Sequence, residues 1–320
     1  MKEIGGYFEF EQGLTNNEWH NNCLRFNSAR NCFRYIIQQK QIETIYLPDL
    51  LCDAVGEACK KEGINVEIYN IDRNFLPTLN KELSQKEYIC IVNYYGTIDN
   101  IQIAKLKERY KNIIVDSTHA FFQEPIYGVD TVYNCRKYFG VPDGAYLATD
   151  LKIDTEITQG KSGHRIRHLI GRLEDGAEKH YSRFLDAEET FSNENIEQMS
   201  KLTRTLMGAI SYKEILSIRK ENIAYLEDKV GKLNKLKLSI KNMNFMYPLY
   251  IDNADKLRQK LISEKVYVPI LWPNVIEKKQ ESIAHEYAKN IIPIPIDQRY
   301  NIKDMEKICN IVKEYFDAKN

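Results

Sequence analysis

The sequence predicts an α/β protein: a large unit built on a mostly parallel sheet, then a smaller α+β unit at the C-terminal end. Three observations predict it. In the first half, short apolar segments alternate with amphipathic ones, the pattern of strands joined by right-handed crossover helices. Within it, Tyr88 to Asn93 (YICIVN) is a continuous apolar run, as expected of a strand covered on both faces. Over residues 172–232 the chain turns charged and helical in pattern, with few glycines and no proline. Strands and helices then alternate again over a shorter stretch.

The elements follow in order. Phe33, Ile36 and Ile37 fall at helical spacing and predict a helix over 29–39. Thr44 to Leu47 reads as a short strand stopped by Pro48, and 50–61 as a helix ended by Gly63. Val66 to Ile71 and Tyr88 to Asn93 read as strands. A helix over 100–110 precedes a strand from Ile113 to Val115 that ends in Asp116. In the second unit, Phe245 to Ile251, Val266 to Leu271 and Ile291 to Pro295 read as strands, with helices over 253–263 and 302–317. The change of character places a boundary near residue 215, giving a large domain over 1–215 and a small one over 216–320.

Composition excludes several classes. Lys and Arg number 45, as do Asp and Glu, so the formal charge is zero, unlike the basic surface of a dedicated nucleic-acid binder. With 43% hydrophobic and 28% charged residues, the chain is too apolar for disorder. Seven cysteines, none spaced C-x-x-C, fit neither a disulfide framework nor a zinc site, and no metal is expected. No apolar signal core follows Met1, and no stretch approaches the ~20 apolar residues of a membrane span. The expected location is the cytoplasm, with no membrane partner.

Ligands of open parallel sheets bind beyond the carboxyl ends of the strands, so polar residues there are the first candidates. Asn27-Ser28-Ala29-Arg30 opens the first helix. Its free N–H groups and dipole suit a phosphate, though a simple helix cap reads the same way. Val115-Asp116-Ser117-Thr118-His119 puts a carboxylate at the end of a buried strand, where it needs a cation or several donors; a local Asx turn is the plain alternative. His119 also fits a packed surface histidine. In Asn134 to Ala145 (NCRKYFGVPDGA), Lys137 stands among aromatic residues and glycine rather than in a charged run. Burial there lowers its pKa and frees a nucleophilic amine; an exposed lysine beside a turn is the alternative. Together, cradle, carboxylate and lysine are the parts that hold pyridoxal 5'-phosphate. The lysine forms a Schiff base with the aldehyde, and the carboxylate keeps the ring nitrogen protonated.

The sequence resembles the DegT/DnrJ/EryC1/StrS-type sugar aminotransferases of the fold-type-I pyridoxal-phosphate class, over nearly its whole length. The resemblance rests on Gly5-Gly6-Tyr7-Phe8, NSARNCFRYI, YLPDLLCDAV and Asn93-Tyr94-Tyr95-Gly96. It continues through VDSTHAFF, RKYFGVPDGAYL, IRKENIAYLEDKV and IIPIPIDQRYNIKDMEKI. It implies that Lys137 is the catalytic lysine, that Asp116 pairs with the ring nitrogen, and that His119 lies by the ring hydroxyl or face. It implies that Ser28, Ala29 and Arg30 hold the phosphate. Tyr133, Asn134 and Cys135 stand where the family has a phosphate-binding serine, and Asn134 can replace it. Leu50, Leu51 and Cys52 stand where an aromatic often stacks on the ring, with Tyr94 or Tyr95 as the substitute. Tyr95 and Arg299, in Asp297-Gln298-Arg299-Tyr300, are the candidates for substrate contact.

The implied activity is transfer of an amino group from an amino acid, glutamate, to a nucleotide-linked keto-sugar used for surface polysaccharide. The implied assembly is a homodimer. The branch of the family that dehydrates sugars carries histidine in place of the lysine, so Lys137 argues against it. Two other readings stand beside this one: a catalytically silent or regulatory relative that binds the cofactor, and an α/β small-molecule binder without cofactor.

Overall fold

The protein is described by a computed structural model at residues 10, 17–153, 156–278 and 281–318. The Gly5-Gly6-Tyr7-Phe8 motif lies outside these residues. The elements in chain order are β1 (Leu24–Phe26), α1 (Ala29–Lys40), β2 (Thr44–Pro48), α2 (Asp53–Lys61), β3 (Asn65–Tyr69) and β4 (Glu87–Val92). Next come α3 (Asn100–Tyr110), β5 (Ile113–Asp116), β6 (Asp130–Asn134) and β7 (Ala145–Ala148). Four helices follow: α4 (Arg167–Asp175), α5 (Tyr181–Glu189), α6 (Lys201–Gly208) and α7 (Tyr212–Val230). The chain ends with β8 (Met246–Tyr250), α8 (Ala254–Ser263), α9 (Pro273–Glu277), α10 (Ile283–Asn290), β9 (Ile291–Pro295) and α11 (Ile302–Asp317).

The main sheet has seven strands in the order β1-β7-β6-β5-β4-β2-β3. The pairs β3–β2, β2–β4, β4–β5 and β5–β6 are parallel, whereas β7 runs antiparallel to both neighbours. The reversal has a simple cause. Residues 135–144 are too short a link for a helical crossover, so β6 and β7 close as a hairpin. Gly144 makes the last turn at φ +108. The apolar runs of β4 and β5 are buried to their ends, as expected of strands covered on both faces.

Caps set the helix ends. The Ser28 side chain accepts from Asn31 N–H at the start of α1, and Asp99 with Gln102 forms a capping box on α3. A second sheet of β8 and β9 is antiparallel. It builds a separate core with Leu226, Leu257, Met305 and Val312. The changeover between the two cores falls inside α7: Tyr212 belongs to the first and Ile223 to the second.

The expected strand over 266–271 does not form. Lys265 takes a left-handed φ of +62, and the segment leaves α8 without meeting a free sheet edge. Val268 is buried while Tyr267 and Ile270 face outward, so the two-residue period of a strand is not kept. The helix expected over 50–61 starts at Asp53, because Leu50 is fully buried in the turn after β2. Among the described residues, no helix is long and apolar enough to cross a membrane.

Candidate active site

The carboxyl ends of β2, β5 and β6 and the amino end of α1 converge. The β1–β7 pairing sets Phe26 opposite Ala145, so Gly144 N–H donates to Asn27 O at 2.8 Å and stitches the start of α1 to the lysine hairpin. The Ser28 hydroxyl is used as the α1 cap, at 3.4 Å from Asn31 N–H. Among the described residues, the backbone N–H groups of Ala29 and Arg30 make no hydrogen bond, as befits a first helical turn. Arg30 Nε is buried, has no hydrogen-bond partner among the described residues and lies 3.6 Å from Glu57.

Lys137 closes a 3-10 turn, Cys135–Lys137, at the end of β6. The Asn134 side chain accepts from Arg136 N–H at 3.0 Å and caps this turn. The Lys137 side chain reaches solvent, yet enough protein surrounds the ammonium for desolvation to lower its pKa, with further lowering from Arg136 and Arg30. Cys52 and Asp116 oppose that shift. Asp116 is buried, and burial raises its carboxyl pKa against the Thr118 hydrogen bonds and the Lys137 charge. Thr118 N–H donates to its Oδ1 at 2.9 Å.

His119 is stacked on Phe245 at 4.1 Å and 14°. Its Nδ1 accepts from Tyr95 N–H at 3.5 Å, which leaves the proton on Nε2. Burial first, then the Lys137 charge, holds its pKa well below the usual histidine range.

Lys137, Asp116, Arg30 and His119 therefore share one electrostatic site. Two other candidates, Tyr95 and Arg299, have neighbours of their own. Tyr95 is fully buried, held at φ +55 behind the His119 ring, with Phe75 and Trp272 around it. Its place is that of a support, not a surface for substrate. Arg299 is half-exposed and forks onto Asp297 at 2.7 and 2.8 Å, so its guanidinium already has an anion.

Three further groups shape the site. Cys52, in the loop after β2, interacts electrostatically with Lys137, Asp116 and Arg30. Its position at a parallel-strand end was the signal available in the sequence. Arg136, beside the lysine, lies over the Phe191 ring at 4.0 Å and pairs with Glu188. Burial, then Arg165 and Arg30, pull its pKa down to about 10. Arg219 of α7 donates to Tyr138 O at 3.1 Å, and Gln298 Nε2 donates to the same oxygen at 2.9 Å. The residue after the lysine is thus tied to the second core. No local pattern in the sequence marks that long-range contact.

The fold, a seven-stranded sheet with one reversed strand and a smaller C-terminal unit, is similar to that of solved aminotransferases. Among solved structures, the chain is similar to DesV of S. venezuelae in complex with a ketimine intermediate. The TM-score is 0.65 and the identity 14%, over 92% of this chain and 84% of that one. It is similar to PseC of Helicobacter pylori, an aminotransferase involved in pseudoaminic acid biosynthesis, at TM-score 0.62 and 13% identity over 92% and 87%. Spr1654 of Streptococcus pneumoniae, in its PLP-form, gives 0.61 and 12% over 91% and 87%. At these identities the likeness is one of fold. No family model matches the chain, and no curated protein does.

Proposed function

We propose that this chain is a pyridoxal-phosphate-dependent aminotransferase that moves an amino group from an amino acid, glutamate, to a nucleotide-linked keto-sugar destined for surface polysaccharide. One observation carries the reading. A lysine of lowered pKa, a buried strand-end carboxylate and an open helix N-terminus meet at the carboxyl edge of the parallel sheet. The fold neighbours add weight, since they include PseC and the sugar aminotransferase CalS13.

The residues fit the cofactor. The N–H groups of Ala29 and Arg30 offer donors for its phosphate, as does Arg30 Nε, which pairs with Glu57 at 3.6 Å but makes no hydrogen bond among the described residues. Asp116, its carboxyl pKa raised by burial, suits a protonated ring nitrogen. Asn134 stands at the serine's position, but its Oδ1 is engaged by Arg136 N–H; its amide nitrogen is the group left to reach a phosphate.

When bound, the cofactor supplies the carbonyl that carries the amino group and a ring that takes up electrons. The protein supplies the rest. The depressed pKa of Lys137 increases the fraction of neutral amine, so Nζ can accept a proton and return it. Asp116 holds positive charge on its carboxylate side. Neutral His119 offers an Nε2–H donor. Cycling between donor and acceptor follows ping-pong logic.

The chain acts in the cytoplasm as a homodimer, the commonest closed assembly. Mixing with pyridoxal phosphate should turn the protein yellow, and glutamate should bleach that colour. No colour in the wild type rejects the reading. Colour without bleaching identifies a silent cofactor-binding relative instead.

A further inference from the structure

Six non-glycine residues among the described ones take a left-handed φ. Four of them, Gln41, Lys111, Asn253 and Lys265, are exposed and stand at helix ends. The other two are aromatic and buried: Phe75 at φ +64 and Tyr95 at φ +55. A bulky side chain holds that conformation only where its surroundings impose it. These two pack against each other, with ring centroids 6.2 Å apart.

Residues 72–76 form a tight loop after β3, in which Asp72 Oδ1 accepts from Asn74 N–H and Leu76 N–H, each at 2.8 Å. Phe75 N–H donates to Asp72 O at 3.0 Å, and the Phe75 ring points inward, onto Tyr94 at 5.1 Å and Tyr287 of α10 at 5.0 Å. The loop is fastened to α10 twice more. Tyr287 O–H donates to Arg73 O at 2.9 Å, and Arg73 pairs with Glu286 at 3.1 Å. Tyr95 has no such polar anchor on its side chain. Its hydroxyl makes no hydrogen bond among the described residues, so ring packing by Phe75, Trp272 and His119 holds it in place. Its backbone N–H donates to His119 Nδ1 at 3.5 Å.

We propose that Phe75 is a positioning residue: wedged between α10 and Tyr95, it keeps the Tyr95 N–H on His119 Nδ1 and thereby keeps the His119 proton on Nε2. The hydrogen bond made by one imidazole nitrogen decides which nitrogen carries the proton, so a loop distant in sequence selects the tautomer. Because α10 carries Tyr287 and Glu286, its position reaches the imidazole by the same route. The chemical use of the Nε2–H donor rests on the aminotransferase reading; the selection of the tautomer does not.

The test uses the cofactor-free full chain with isotope-labelled histidine, read by long-range proton–nitrogen correlation spectra, with His119→Gln to assign the signal. The wild type should show one tautomer, protonated at Nε2. Phe75→Ala should raise the Nδ1–H form about fivefold, the worth of one hydrogen bond. Phe75→Leu, which refills most of the space, should keep the wild-type pattern. Loss of stability alone would not move the tautomer of a folded chain. Arg73→Ala cuts an exposed ion pair and should speed exchange of the Tyr95 amide about two- to fivefold. Lys86→Ala, which cuts the pair with Glu43 at the amino ends of the strands, should not. A wild-type proton on Nδ1 overturns the proposal, as does a folded Phe75→Ala chain with the wild-type tautomer. If Phe75→Ala does not fold, an unchanged Tyr95 exchange rate in Arg73→Ala overturns it. Colour with pyridoxal phosphate and bleaching by glutamate are read separately on the wild type. Their failure retires the aminotransferase reading and leaves the tautomer result standing, and the reverse outcome retires the role of Phe75 alone.

Discussion

Replacing Arg219 with alanine should loosen the site and destabilise the chain together. The side chain is 1% exposed and makes five hydrogen bonds. Its donors reach Asn244 O, Phe245 O, Tyr138 O and Gln298 Oε1, and its guanidinium lies 4.6 Å from the Tyr138 ring centroid. In the variant, Tyr138 O keeps Gln298, but among the described residues no other donor is seen at Asn244 O or Phe245 O. Burial lowers the pKa of Arg219, so the native state already bears a desolvation cost that the variant relieves. Two stranded carbonyls at about 1–3 kcal/mol each, plus a cavity and less that relief, leave a net loss of about 3–5 kcal/mol. With an unfolding entropy of about 2.1 cal/mol/K per residue, one cooperative transition falls by about 4–7 °C. Calorimetry and urea unfolding measure this. Because Tyr138 follows Lys137, affinity for pyridoxal phosphate should also fall about tenfold, read by visible absorbance. Arg219→Lys keeps the charge but not the fork and should lie between. An alanine variant within about 1 kcal/mol of wild type, with unchanged cofactor affinity, would show that this arginine does not anchor the lysine loop.

Lys137→Ala should abolish the visible absorbance that pyridoxal phosphate gives the wild type, with far-ultraviolet circular dichroism unchanged. Retained colour would move the nucleophile elsewhere. Asp116→Asn should keep cofactor binding but slow bleaching by glutamate about 10²–10⁴-fold in stopped flow; an unslowed rate removes Asp116 from the ring nitrogen. His20 is buried on the Tyr133 ring and bonded to Phe121 O at 2.6 Å, with its pKa lowered to about 4 by burial. The unfolded chain protonates it near pH 6.5 while the native chain does not. The neutral native ring therefore contributes nothing adverse above that pH, and stability falls as pH drops from about 6.5 to about 4, by about 3 kcal/mol in total. His20→Gln should flatten the urea-unfolding pH profile in that window, and parallel profiles count against it. Gly144→Ala would place a Cβ 2.9 Å from Thr203 Cγ2 at φ +108 and should cost about 1–3 kcal/mol in thermal unfolding.

The parallel part of the sheet was legible because its strands obey local rules. The apolar runs at 88–93 and 113–115 announce burial on both faces, and their neighbouring helices carry period and caps. β1 (LRF), β6 (DTVYN) and β7 (AYLA) were not read from the sequence; pairing makes them strands. The segment at 266–271 shows the converse, an apolar run that reads as a strand but has no edge to join. In the site, Asp116 and Lys137 were visible because a carboxylate ends an apolar strand and a lysine interrupts an aromatic turn. Arg219 and Gln298 meet the lysine loop from distant parts of the chain, so no window of sequence contains their partnership.

The pairing of β1 with β7 has a consequence for the order of assembly. The lysine hairpin closes between adjacent strands, and a growing chain can form it early. The cradle at α1 is fixed beside it only when Phe26 meets Ala145, which closes a long loop and carries the larger entropy cost. Neither half alone presents both an amine and a phosphate seat. Cofactor capture should therefore report completion of the sheet, and pyridoxal phosphate would act on a nascent chain as a late clamp instead of an early nucleus.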